Sequence, residues 1–103
     1  MINNTQSISL IEANKRISLY CPIGKDYYTA DVLMKFMPDK HYMDYMSLDL
    51  FLNKLSGLSY TIEEAVEHIY NELQRYKPHS CGVAIKATSN THLNVTVTKG
   101  GVS

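Results

Sequence analysis

The feature that most constrains this chain is a change of hydrophobic period along its length. From Lys15 to Cys21 apolar and polar residues alternate, with Ile17, Leu19 and Cys21 on one face and Arg16, Ser18 and Tyr20 on the other. That is the period of a half-buried strand. Pro22 and Gly24 end it, because proline has no donor for a ladder and glycine accepts dihedrals that other residues resist. A second strand is expected over Tyr28 to Met37, where Ala30, Val32, Met34 and Phe36 alternate with Thr29, Asp31, Leu33 and Lys35 until Pro38-Asp39 stops the run. The rhythm then lengthens. From about Asp44 to Leu55 the residues Tyr45, Leu48, Leu52 and Leu55 share a helical face widened by Phe51, and Gly57 sits where a helix terminator is expected. Thr61 opens a second helix as N-cap, with Glu64 completing a capping box and an apolar stripe of Ile62, Ala65, Val66, Ile69, Leu73 and Tyr76 that Lys77-Pro78 closes. Alternation returns in Val83, Ile85 and Ala87 and in Leu93, Val95 and Val97, with Ser89-Asn90-Thr91 between them as a hairpin turn.

Strand, strand, helix, helix, strand, strand makes an α+β domain: a four-stranded antiparallel sheet with two helices on one face. Such a sheet has two open edges, and assembly into a closed ring covers them. We expect one such domain over residues 14–103, preceded by an N-terminal arm over 1–13 in which Ile8, Leu10 and Ile11 form a small apolar cluster.

With 103 residues there is room for one core. No apolar run is long enough to cross a bilayer. Residues Met1 to Ser9 lack the basic-then-apolar order of a secretory signal, so a cytoplasmic protein with free Cys21 and Cys81 is expected. Ten basic and ten acidic residues balance, which leaves no overall electrostatic footprint for nucleic acid. A ring would nevertheless concentrate Lys15, Arg16, Lys25, Lys40 and Lys54 into a patch.

Two stretches carry chemistry. Cys21 stands at the mouth of the turn Cys21-Pro22-Ile23-Gly24-Lys25-Asp26, either as a small buried side chain or as a thiol open to a ligand, and Lys25 nearby favours the thiolate. Glu63 and Glu64 lie in a first helical turn, where acidic residues complement the helix dipole. That accounts for Glu64. Glu63 can also accept two parallel hydrogen bonds from a ring N–H and an exocyclic amine of a guanine-type edge. Asp26 is a turn residue or a proton donor and acceptor beside the thiol. His41, His68, His79 and His92 show no ligand spacing with each other or with the cysteines, so no metal is expected. Neither a phosphate-cradling glycine loop nor a dinucleotide fingerprint is present.

With Cys21-Pro22, Phe36-Met37-Pro38-Asp39, Ser47-Leu48 and Glu63-Glu64 at matching intervals, the chain from about Leu19 to Val97 resembles the QueF and QueF-like family. Its members are the nitrile reductase acting on 7-cyano-7-deazaguanine and a shorter archaeosine-forming amidinotransferase. The resemblance implies the tunnelling fold (T-fold), with rings that pack face to face around ligand sites at subunit borders. It implies that Cys21 forms a thioimide with the substrate nitrile, that Glu63 and Ser47 bind the base, and that an aspartate moves the proton, a role open to Asp26 only if the turn is arranged differently from the family's.

The departures choose the branch. Met46 and Asp49 stand where reductases carry lysines for the nicotinamide cofactor, and Ile62 replaces the histidine expected before Glu63. By strict counting the family's aspartate falls on Tyr28, two residues past Asp26. The resemblance therefore points to the short QueF-like branch. It implies ammonia as co-substrate, no NADPH, and 7-cyano-7-deazaguanine taken free or within tRNA or DNA. The alternatives are an NADPH-dependent reductase and a non-catalytic deazapurine- or pterin-binding T-fold protein.

Overall fold

The computed structural model describes residues 1–88 and 93–101. A two-residue strand β1 (Ile2–Asn3) opens the chain, followed by β2 (Ile11–Cys21), β3 (Asp26–Met37) and a short β4 (His41–Tyr42). Helices α1 (Tyr45–Leu55) and α2 (Ile62–Gln74) come next, then β5 (Ser80–Thr88) and β6 (Asn94–Gly100). The main sheet has the order β2-β3-β5-β6 with every neighbouring pair antiparallel. Its α+β architecture is the one the periodicity predicts. The turn expected at Ser89-Asn90-Thr91 lies outside the described residues.

The alternation decides which sheet face is covered. Ile17 and Leu19 of β2, Tyr28 to Phe36 of β3 and Cys81 to Ala87 of β5 send every second side chain into one apolar layer. Leu48, Leu52 and Leu55 of α1 and Ala65, Val66, Ile69 and Leu73 of α2 close that layer from above. Burying a side chain of this size stabilises the fold by about 1.5–3 kcal/mol.

Several expectations need correction. β2 begins at Ile11, pairing with Phe36, so Ile11 to Ala13 belong to the sheet rather than to an arm. β1 pairs with β4 in a separate small sheet that two-residue strands are too short to announce by period. Tyr45 is turned outward and stacks on Tyr42 at 6.4 Å, leaving the α1 stripe to the leucines. α2 stops at Gln74, yet Tyr76 still meets the core edge-on against Phe36. Leu93 precedes β6 and is exposed.

The connection between the helices positions everything that follows. Gly57, at φ 85°, turns the chain out of α1 in a conformation that favours glycine. Its N–H donates to the Ser18 carbonyl at 2.6 Å. The chain then runs along the outer edge of β2, with Tyr20 N–H donating to Leu58 at 2.9 Å and Tyr60 N–H donating to the Tyr20 carbonyl at 3.0 Å. The start of α2 is thereby laid beside the end of β2, one residue from Cys21.

Candidate functional site

The β2–β3 hairpin shapes the surroundings of Cys21. Lys25 N–H donates to the Cys21 carbonyl at 2.8 Å and closes the turn, with Lys25 itself at φ 53°. Gly24 N–H approaches the Cys21 Sγ at 3.4 Å, so the half-buried sulfur faces a backbone donor. Lys25, expected to act on the thiol through its ammonium, reaches Cys21 through its backbone.

Asp26 is the direct cross-strand partner of Cys21. Side chains so paired share a face with Cβ atoms about 5 Å apart. The carboxylate of Asp26 accepts the Tyr27 N–H at 2.8 Å. Two residues on and on the same face, Tyr28 is 8 % exposed and its hydroxyl donates to the Tyr60 carbonyl at 2.8 Å. Burial, and then the negative charges of Cys21, Glu63 and Glu64, push its phenol up to about 12. Tyr28 thus lies within electrostatic reach of the thiol and of both glutamates. The resemblance puts the family's aspartate at this position, and the burial, the bond to Tyr60 and the charged neighbours show what a tyrosine does there.

The two glutamates divide as their helix positions require. Glu64 completes the capping box, accepting the Thr61 N–H at 3.0 Å while its own N–H donates to Thr61 Oγ1 at 3.2 Å. The bond from the Thr61 backbone holds its carboxyl below the usual range. Glu63 is exposed beside it, and its carboxylate joins no hydrogen bond or ion pair among the described residues. It is available to a ligand edge.

Ser47 stands apart. Its hydroxyl donates to Asp44, the N-cap of α1, at 3.2 Å. Because Lys15 pairs with Asp49 while Ser18 meets Ser56 and Gly57, α1 runs alongside β2 in the same direction. Ser47 therefore sits at the Lys15 end of β2, and Lys15 is about 20 Å along the strand from Cys21 at the usual rise per residue. One chain brings Cys21, Asp26, Tyr28 and Glu63 together and leaves Ser47 out.

Electrostatics elsewhere are largely paired off. Lys15 is held by Asp49, one of the positions lacking a reductase lysine, and Arg16 by Asp31 at 2.7 Å. His79 pairs with Asp39, and His68 is stacked between Phe51 and Tyr60 at 5.5 and 5.6 Å. His92 lies outside the described residues, among which no cluster of three or more His, Cys, Asp or Glu could hold a metal ion. A groove of about 430 Å³ separates β2 from α1 and another of about 660 Å³ lies on the open sheet face. Neither is lined by Cys21, Asp26 or Glu63, so the cysteine site lies apart from both. Among the described residues no helix is long and apolar enough to cross a membrane.

No family model matches the sequence, and no curated protein matches it. Among solved structures, the crystal structure of the archaeosine synthase QueF-Like in the apo form superposes with a TM-score of 0.85. The identity is 18%, and the match covers 94% of this chain and 97% of that one. The chain has the T-fold of that structure.

Proposed function

We propose that this protein is a QueF-like amidinotransferase that converts the nitrile of 7-cyano-7-deazaguanine to an amidine. The observation supporting this reading is that bonds from Tyr60 N–H to the Tyr20 carbonyl and from Tyr28 Oη to the Tyr60 carbonyl lay the start of α2, with Glu63, beside the end of β2, with Cys21. A planar base can then set its amino edge on Glu63 and its nitrile toward the sulfur. The Cys21 thiolate adds to the nitrile carbon, forming the C–S bond while the nitrile nitrogen takes a proton from Asp26. Ammonia then attacks the same carbon. A C–N bond forms, the proton that ammonia sheds returns to the Asp26 carboxylate, the C–S bond breaks, and the thiolate leaves with the amidine released. Splitting the addition in this way replaces one difficult step by two easier ones.

No nicotinamide cofactor or metal enters the scheme. Hydride transfer would need a grip for phosphates, and α1 presents Met46 and the carboxylate of Asp49 where that grip is expected. A ring of copies, with a second ring face to face, completes the site in this reading. The sheet edges along the first half of β2 and along β6 face away from the rest of the chain, and a neighbour joined there would roof the half-buried thiol and bring its own Ser47 into play.

Ile62 and Tyr28 favour a second reading, a non-catalytic T-fold protein that binds a deazapurine or pterin. Neither side chain supplies an acid or base at neutral pH. One experiment separates the two. The protein is incubated with 7-cyano-7-deazaguanine, as free base and within tRNA and DNA, with and without ammonia, and followed by intact mass. An adduct that Cys21→Ala abolishes and ammonia discharges as amidine supports the enzyme. Binding without an adduct supports the second reading, and neither binding nor adduct on any substrate rejects both.

A further inference from the structure

We propose that Tyr28 is a positioning residue whose hydroxyl clamps the segment entering α2 and so sets the reach from Glu63 to Cys21. This role deepens the functional reading above and rests on Cys21 and Glu63 being the two ends of one substrate site. The clamp is built on the backbone of a single residue. Tyr60 N–H donates to the Tyr20 carbonyl, immediately before Cys21, while the Tyr60 carbonyl accepts from Tyr28 Oη at 2.8 Å. Tyr60 is thus tied to β2 by its donor and to β3 by its acceptor. Its ring is also pinned, stacked on His68 at an interplanar angle of 22°.

Thr61 follows directly as the N-cap, so the orientation of the Tyr60 carbonyl sets where α2 begins and where Glu63 projects. The clamping group is a donor under all ordinary conditions, because the phenol stays protonated up to about 12. It neither takes a proton from the substrate nor competes with Glu63 as an acceptor. An aspartate at this position would be too short to span to Tyr60 and would offer its carbonyl another acceptor. In this chain, then, the position holds the helix entrance, and the proton falls to Asp26, the direct partner of Cys21.

The test is Tyr28→Phe in the full chain, read by hydrogen exchange and by ligand kinetics with 7-cyano-7-deazaguanine. Losing one hydrogen bond should speed exchange of the amides in 58–64 about fivefold and weaken base affinity by about the same factor. The first-order capture step after binding slows as the nitrile is held less squarely at the sulfur, while iodoacetamide, which makes no use of Glu63, alkylates Cys21 at an unchanged rate. Unchanged exchange in 58–64 overturns the clamp whatever the ligand does. Faster exchange with unaltered affinity overturns the positioning role. Should the wild type not bind the base at all, the functional reading fails, and the exchange result alone upholds or overturns the clamp. If Tyr28→Phe does not fold, 3,5-difluorotyrosine at position 28 keeps the ring and ionises at lower pH. Exchange in 58–64 must then accelerate at a lower pH than in wild type, and failure to do so refutes the clamp.

Discussion

Glu63→Gln is the most discriminating single change, because its neighbour Glu64 supplies a built-in control. The substitution keeps the shape and exchanges one carboxylate oxygen for an amide that can only donate. Facing the ring N–H and amino group of a guanine-type edge, that amide meets a donor with a donor, and the remaining bond loses its charge. Hydrogen bonds to charged groups contribute about 1.5–3 kcal/mol each, so a net loss of about 2–3 kcal/mol is expected, or roughly 30- to 150-fold in Kd. Glu64→Gln, one residue on, keeps an acceptor for the Thr61 N–H and preserves the capping box, so affinity should hold within about twofold. Thr61→Ala removes the cap itself and should cost about 1 kcal/mol of stability, a fall in Tm of roughly 4–8 °C. Calorimetric titration of 7-cyano-7-deazaguanine into each variant, on a Cys21→Ala background that prevents covalent capture, gives the three affinities directly. If Glu63→Gln binds within about threefold of its parent, or if Glu64→Gln weakens binding as much, Glu63 does not read the base edge.

Two further outcomes follow from the geometry. A Cβ on Gly100, at φ 80°, would lie 2.3 Å from the Cys81 carbonyl oxygen and 2.8 Å from the Tyr70 ring, so Gly100→Ala should lower stability by at least about 2 kcal/mol in urea denaturation; an unchanged midpoint would mean that β6 does not pack this closely on β5. Tyr28 ionises near 10.0 when unfolded and at about 12 when folded, so between those values the unfolded chain releases a proton that the native state keeps. Stability is intact below about pH 10 and falls as pH rises toward 12, by on the order of 2 kcal/mol from this group. Urea midpoints for wild type and Tyr28→Phe, compared at pH 9 and pH 11.5, should converge at the higher value, and a constant gap would show that Tyr28 titrates normally.

Much of the framework was legible because its signals are local. Alternation in Ile17 to Cys21 and in Ala30 to Phe36 marks the long hairpin, and Thr61 with Glu64 marks the start of α2. Signals that are too short or ambiguous do not announce the structure they form. β1 and β4 have no period to show, Ile11 to Ala13 look like a polar tail until Phe36, Lys35 and Met34 pair with them, and Tyr45 fits a buried stripe on paper but stacks on Tyr42.

What the sequence by itself determined was the order of elements, the face each presents to the core, and the capping role of Glu64, since period and capping are matters of near neighbours. Only the tertiary structure decided what meets what. Backbone bonds from Gly57, Leu58 and Tyr60 to β2 carry the helix entrance to within reach of Cys21, although about forty residues separate Glu63 from that thiol in the chain. The same packing leaves Ser47 at the other end of the strand and ties Tyr28, one more apolar-face residue by period, to the Tyr60 carbonyl at the entrance to α2. The physical reason is that long-range hydrogen bonds and burial, which no short window of residues encodes, decide which side chains share a space.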